Sequence, residues 1–310
     1  MKNIATSFHN KIFGMRCDKK PGISYLNHTD FDGLQMQSFS FQNKQGNTLR
    51  GGLYFYDNWD KQPLVVFFHG MGGGYLAYMA EIEVLCKDGY RVLSYDYTGT
   101  LCSDGDELGG FCQSLSDADD ALSCVKEMFP DVSIFVMGHS WGAYTAGCMV
   151  NLHPDIEKAV LLAPPISMSQ MFLQKSPVKM IANGLIAVER QKYPAYWDQS
   201  VLRDYTKDST TKVLVIQSAD DKMVDYEKNF QVLQQQVSFD NVQFVTVEQK
   251  KHNPTYTVEA VSYMETYLKQ LQHARNDEEI ASLEKTARWR DMCQQDRQVS
   301  QQILAFFAGC

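Results

Sequence analysis

The stretch FVMGHSWGAYTAG, residues 135–147, decides how the chain is read. An apolar run of strand character ends at Gly138, a helix-like run begins at Trp141, and Ser140 sits at the turn between them. The GxSxG pattern has a mechanical cause. A nucleophile on so sharp a strand-to-helix turn holds a strained backbone, and side chains larger than hydrogen two residues to either side would collide. Gly138 and Gly142 meet that demand. The five residues also occur in ordinary turns, and it is the strand before and the helix after that give them weight.

Working outward, short apolar runs recur at 64–68 (LVVFF), 90–97 (YRVLSYDY), 132–137 (VSIFVM), 156–162 (IEKAVLL), 213–217 (VLVIQ) and 242–247 (VQFVTV). Each is too short and too rich in β-branched or aromatic residues for a typical helix. Helix-length segments lie between most of them, at 75–88, 114–129, 141–152 and 225–236. Near-continuous apolar strands alternating with helices predict an α/β fold, a mostly parallel sheet covered on both faces. Residues 34–56 alternate with a period of two around NKQGN, which predicts an antiparallel hairpin at the sheet's N-terminal edge.

Two stretches leave this rhythm. Residues 165–206 are longer than an ordinary connection and rich in Met and aromatics, and are read as a helical cap over one end of the sheet. In the tail, 253–310, Val258, Val261, Met264, Leu268 and Leu271, then Val299, Ile303 and Phe307, keep helical spacing around the charged segment ARNDEEIASLEK. The organisation expected is one α/β domain over 1–310, with the cap inserted and 273–310 as a C-terminal helical extension.

The chemistry needs more than a serine. HGMGGG, following the run at 64–68, leaves several unencumbered backbone N–H groups at the end of a strand. A developing oxyanion needs two aligned donors, and the N–H groups of Met71 and of Trp141, the residue after the nucleophile, are the candidates. A dinucleotide-binding loop is the rival reading, since Asp96 ends the next strand, but GxGxxG counted from Gly70 needs Gly or Ala where Tyr75 stands. A serine hydroxyl also needs an imidazole to take its proton and a carboxylate to orient that imidazole. With the chain order Ser, acid, His, VLVIQSADDKMV offers Asp220 and Asp221 after a late strand, and VQFVTVEQKKHNP offers His252 after the last one.

Composition bounds the alternatives. The 310 residues are 44% apolar and 21% charged, an ordered globular balance, and the net charge of −8 opposes a phosphate backbone, so nucleic acid is not an expected partner. No window reaches the roughly 18 apolar residues of a membrane span. The first twenty residues break at His9, Asn10 and Lys11, too early for a signal peptide, which points to the cytoplasm. The eight cysteines are scattered without a CxxC pair and are read as reduced thiols; Cys148 is read as a small buried apolar residue. No HExxH or Cys/His spacing suggests a metal, and DGDELGG at 104–110 fails as a calcium loop, with Leu115 at its twelfth position. No cofactor is implied. His139, inside GHSWG, is expected to point away from the nucleophile and to pack or hydrogen-bond.

Through HGMGGG, DYTGTLCSDG, GHSWG, SADDKMV and KKHNP in that order, residues 30–272 resemble the α/β-hydrolase superfamily of serine hydrolases. In many members the acid lies in GxxDxxV; aligning Val224 with its last position selects Asp221 over Asp220 and puts Ser218 where Gly is usual. DYTGTLCSDG resembles the family's D-x-R-G-x-G-x-S loop, with Thr98 in place of the Arg and Leu101 where Gly is common. The resemblance implies a serine esterase or thioesterase with Ser140, Asp221 and His252 as triad, acting on a small-molecule ester. Met168, Met171, Phe172 and Trp197 of the cap are the candidate acyl-binding residues. A serine aminopeptidase would need an acidic anchor for the substrate's amine, for which Glu189, Asp198 and Asp204 are available in the cap; a non-catalytic binding member of the fold is the other alternative.

Overall fold

Strands that are apolar at nearly every position have both faces covered, and that is what the computed structural model, which describes residues 2–57, 59–60 and 63–309, contains. Eight strands, β1 (Gln35–Gln42), β2 (Thr48–Phe55), β3 (Leu64–Phe68), β4 (Arg91–Tyr95), β5 (Ile134–His139), β6 (Lys158–Leu162), β7 (Lys212–Ser218) and β8 (Val242–Val247), form one sheet. Their order is β1-β2-β4-β3-β5-β6-β7-β8. Only β2 runs against the rest, antiparallel to both β1 and β4; from β4 to β8 every pairing is parallel. This is the α/β-hydrolase fold, entered through the antiparallel hairpin at one edge.

The described helices are α1 (Lys2–Phe13), α2 (Met79–Lys87), α3 (Gln113–Met128), α4 (Trp141–Leu152), α5 (Met168–Lys175), α6 (Lys179–Lys192), α7 (Val232–Gln236), α8 (Val258–His273), α9 (Asp277–Thr286), α10 (Trp289–Met292) and α11 (Arg297–Ala308). Alternation along the strands divides the core in two. Leu64, Val66, Phe68 and Val136 face one layer with Leu115 of α3, Ala143 of α4, Phe172 of α5 and Leu185 of α6. Val65, Phe67, Phe135 and Met137 face the other with Ile82 of α2, Val261 of α8 and Ile303 and Phe307 of α11. Phe307 stacks on Phe135 at 5.2 Å between ring centroids, so the last helix of the tail is part of the second core layer.

Several elements differ from what periodicity predicts. The 75–88 segment opens with a 3-10 turn, Tyr75–Tyr78, before α2, and 225–236 opens with a π-helical turn, Glu227–Gln231, before α7. Within 165–206, α5 and α6 are helical but the chain runs through turns after Lys192. The charged segment of the tail is itself helical: α9 is capped by Asn276, whose side chain accepts from Glu279 N, and its first turn carries Asp277, Glu278 and Glu279. Side chains of that kind at a helix start satisfy free N–H groups and complement the dipole, which stabilises α9 although it buries no residue. The seven described cysteines are free thiols, and Cys310 lies outside the described residues. No described helix is long and apolar enough to cross a membrane.

Candidate active site

Ser140 occupies the turn between β5 and α4 with φ 55° and ψ −118°, a backbone conformation that a residue with a Cβ rarely adopts. The strain is held by close packing. A Cβ on Gly142 would collide with the Phe68 carbonyl, and one on Gly138 with the Gly142 carbonyl, so the turn closes only with glycine at both places. Ser140 N donates to Leu162 O of β6 at 2.8 Å, which leaves the side chain above the sheet's carboxyl end.

The loop after β8 brings His252 to this turn. Its Nε2 lies 2.9 Å from Ser140 Oγ, and its Nδ1 lies 2.9 Å from Asp221 Oδ2. Asp221, buried at 3% exposure, is fixed in turn: Oδ1 accepts from Met223 N at 2.8 Å and Val224 N at 3.1 Å, and Oδ2 from Gln217 Nε2 at 3.3 Å. Asp220 turns the other way. Its Oδ1 accepts from Ser218 Oγ at 2.6 Å and from Lys251 N at 3.0 Å, so it holds the backbone of the histidine loop and leaves the imidazole to its neighbour. Ser218, standing where glycine is usual, also accepts from Lys250 N at 3.1 Å and so ties the acid loop to the histidine loop.

That loop needs holding. Gln249 and Lys251 have φ of 59° and 51°, costly for side chains other than glycine. His139 braces it from below: Nε2 lies 2.6 Å from the His252 carbonyl and Nδ1 lies 3.0 Å from Tyr78 Oη. Burial, then the adjacent His252, push His139 down to about 3, so it is neutral; Nε2–H donates to the carbonyl and Tyr78 donates to Nδ1. His139 therefore does hydrogen-bond, as its chemistry predicts, but it does not point away from the site. From the C-terminal side, buried Lys250 reaches Asp296 Oδ2 at 2.6 Å and the Tyr256 carbonyl. Asp296 also caps α11, accepting from Gln298 N at 2.8 Å and Val299 N at 3.1 Å.

A cavity of about 300 Å³ opens at Ser140 and His252. Met71 and Trp141 both line it, as do Phe111, Pro165, Met223 and Val224. Of the four cap residues, Met171 alone is on its wall. Met168 and Phe172 share the inward face of α5, and Phe172 packs edge-on to Phe13 and Phe111, at 6.4 and 5.9 Å. Trp197 lies under the Arg190 guanidinium at 4.8 Å. Phe172 is about 100° round α5 from Met171 and turns into the core, while Met171, packed on the rim of the same core, also reaches the cavity. Met223 and Val224 had a signal in sequence, since they follow the acid in DDKMV; Phe111 and Pro165 had none, because loops carry them in.

The carboxylates of the cap are committed elsewhere. Glu189 is fully buried and accepts from Phe111 N at 2.6 Å, Cys112 N at 3.1 Å and His9 Nε2 at 2.9 Å, which pins α6 to the start of α3 and to α1. Asp198 and Asp204 pair with Arg203 at 3.0 and 3.7 Å. The 96–105 loop is likewise occupied. Asp96 accepts from Tyr75 N at 3.0 Å and Cys102 N at 3.3 Å, and burial pushes its carboxyl up to about 7. Thr98, in place of arginine, donates through its N–H to Asp117 at 2.8 Å, while a guanidinium does arrive from elsewhere: Arg16 donates to the carbonyls of Leu101, Ser103 and Gly105. Burial raises the Cys148 thiol well above its ordinary value, which suits an inert core residue. Among the described residues no group of three His, Cys, Asp or Glu side chains is placed to hold a metal.

A family model described as serine aminopeptidase, S33, matches residues 60–209. The AB hydrolase superfamily protein YfhM of Bacillus subtilis is 29% identical over 104 residues, 33% of this chain and 36% of that protein. Epoxide hydrolase B of Mycobacterium tuberculosis is 31% identical over 93 residues, 30% of this chain and 26% of that one. The chain thus spans only 26–36% of the length of these curated relatives. Among solved structures, the Pyrococcus furiosus esterase Pf2001 superposes with a TM-score of 0.58 at 17% identity, covering 87% of this chain and 97% of that one. The esterase Est22 does so with a TM-score of 0.57 at 16% identity, covering 90% and 82%. These structural likenesses are of fold.

Proposed function

We propose that this chain, whose fold is that of the α/β-hydrolases, is a serine hydrolase that cleaves carboxylic esters or thioesters through an acyl-enzyme on Ser140. The observation that carries the reading is the pair of 2.9 Å contacts joining Ser140, His252 and buried Asp221 at a strained strand-to-helix turn. In the mechanism we infer, Ser140 Oγ attacks the substrate's carbonyl carbon as its proton passes to His252 Nε2, and Asp221 keeps Nδ1–H as the donor and stabilises the imidazolium. The oxyanion forms against the backbone N–H groups of Met71 and Trp141. Collapse breaks the carbonyl carbon's bond to the leaving group, which takes the proton from His252. Water, giving its proton to the same nitrogen, then hydrolyses the acyl-enzyme and restores Ser140. We read the whole chain as one domain, with 165–206 as an insertion beside the site and Met171 as its contribution to the acyl pocket.

The chemistry of the nucleophile separates this from epoxide opening. A carboxylate that opens an epoxide forms an ester that water can cleave, whereas a serine would form an ether, which water does not cleave under these conditions. Ser140 at the turn therefore favours acyl transfer. The family model gives a second reading, cleavage of the N-terminal residue from a peptide. It needs a carboxylate to hold the substrate's ammonium, but none of Glu189, Asp198 and Asp204 lines the cavity: Glu189 is buried on the N–H groups of Phe111 and Cys112, and Asp198 and Asp204 pair with Arg203. Fluorophosphonate labelling with Ser140→Ala as control, alongside turnover of neutral aryl esters and of aminoacyl anilides with free or acetylated amines, tests both. We expect labelling and ester turnover in the wild type only. An unlabelled wild type would overturn the mechanism, and anilide turnover that collapses on acetylation would replace the esterase with the peptidase.

A further inference from the structure

Helix α1 buries one face and is apolar on the face next to it. Ala5, His9 and Phe13 are buried, packing α1 against the α5–α6 pair. About 100° round the helix, Ile4, Phe8 and Ile12, followed by Met15, recur every three or four residues and are exposed at 57%, 39%, 45% and 67%. A helix that merely covers a domain turns polar residues outward. The flanking elements continue the exception: Leu173 on α5, Val178 before α6 and Met180 on α6 are exposed too. A groove of about 580 Å³ runs between α1 and α6, walled by Ile4, Ala5, Met180, Ile181, Ala187 and Val188. Seven of the thirteen large apolar side chains exposed among the described residues lie on these three helices and their flanks, too many for scattered surface residues.

Charge identifies the occupant. Helices α1, α5 and α6 together contain six Lys and Arg against one carboxylate, Glu189, in a chain of net charge −8. Glu189 is buried, Lys192 pairs with Glu107 at 3.0 Å, and Lys11, Lys175 and Lys179 are exposed. A second copy docked face to face would set this basic surface against itself. The one arginine of these helices, Arg190, is engaged over Trp197, so lysines supply the outward charge. Point charges around large apolar side chains suit a diffuse headgroup field better than the paired recognition of a folded partner's carboxylates.

We propose that the face built by α1, α5 and α6 docks on an anionic lipid surface, with Ile4, Phe8 and Ile12 entering the headgroup boundary and the lysines lying over the headgroups. Because α5 also gives Met171 to the cavity at Ser140, docking sets one wall of that cavity beside the bilayer. The inference goes beyond the proposed chemistry and does not depend on it. The test is flotation of the full chain with phosphatidylcholine vesicles, with and without about 30% phosphatidylglycerol, at low and high salt. The expected result is binding only to the anionic vesicles, lost at high salt. Phe8→Ser/Ile12→Ser should weaken it at least about tenfold, and so should Lys11→Glu/Lys179→Glu, each lysine near such a surface being worth about fivefold. Thermal melting of the lysine variant, whose changes lie on exposed positions, should match the wild type. Absence of binding to anionic vesicles at low salt overturns the proposal, as does wild-type binding by both variants. So does a lipid-free dimer that Phe8→Ser/Ile12→Ser dissociates, which would assign the face to a second copy.

Discussion

Asp220 and Asp221 are neighbours on one turn, yet only Asp221 meets the imidazole, because Asp220 is spent on Ser218 Oγ and Lys251 N. Asp221→Asn presents an amide where the imidazole needs an acceptor and should lower kcat by about 10⁴-fold, whereas Asp220→Asn, which loosens the loop only, should cost about tenfold. Steady-state kinetics of the two variants, with KM recorded separately, checks the assignment; the reverse order would move the acid by one residue. Asp96 makes a different kind of prediction. Its carboxyl is raised by burial to about 7, so between the ordinary aspartate range and neutrality the folded state binds a proton that the unfolded state has released. Its contribution to stability therefore falls as pH rises from about 4 to about 7. In Asp96→Asn, chemical denaturation at pH values across that window should give a flatter decline than in the wild type, even if the variant is less stable at each pH.

At the scale of elements, the tail reaches the site. Helix α11 begins at Asp296, which caps it and holds Lys250, two residues before His252. Across the same junction, Asp296 N donates to Thr255 O at 2.7 Å and Thr257 N to Gln294 O at 2.9 Å. Asp296→Ala leaves the buried Lys250 ammonium without its carboxylate and removes the cap, which should destabilise the protein by about 3 kcal/mol. Since the loop it releases carries His252, kcat should fall while KM stays near the wild-type value. Restoring the cap with Asp296→Asn should recover about 1 kcal/mol of that loss and little of the rate, since Asn brings no charge to Lys250. A variant whose rate follows its stability would show that the contact only supports the fold. Ser218 has the same standing on the sheet side: Ser218→Gly recreates the residue usual in the family but deletes the contacts to Asp220 and Lys250 N, and should slow turnover without unfolding the chain.

At the scale of the whole molecule, two core layers share one sheet, and the second is closed by a helix from the last residues described. Phe307→Ala removes a fully packed ring from between Phe135 and Tyr90 and should cost about 3–5 kcal/mol in chemical denaturation, with kcat and KM of the folded fraction unchanged because the ring lies at the far face of the sheet. A loss of activity without loss of stability would show that the layer does more than support the fold.

The sequence by itself determined the α/β architecture, since strands buried on both faces must be apolar throughout and helices must intervene to let them run parallel. It also marked Ser140, because the steric demand of the turn is local and is written in two glycines within five residues. The antiparallel edge was legible for the same reason: a hairpin's register depends on neighbours in the chain. Tertiary structure decided what depends on direction in space. Two adjacent aspartates have the same local sequence, and only the position of the histidine loop distinguishes them. Met168, Met171 and Phe172 look alike in composition, but the orientation of α5 sends one to the cavity and two into the core. Glu189 could have been an amine anchor until the start of α3 was folded against it. The part of the tail in the histidine loop, and the choice of which α1 face stays exposed, rest on contacts between segments far apart in sequence, which no local pattern encodes.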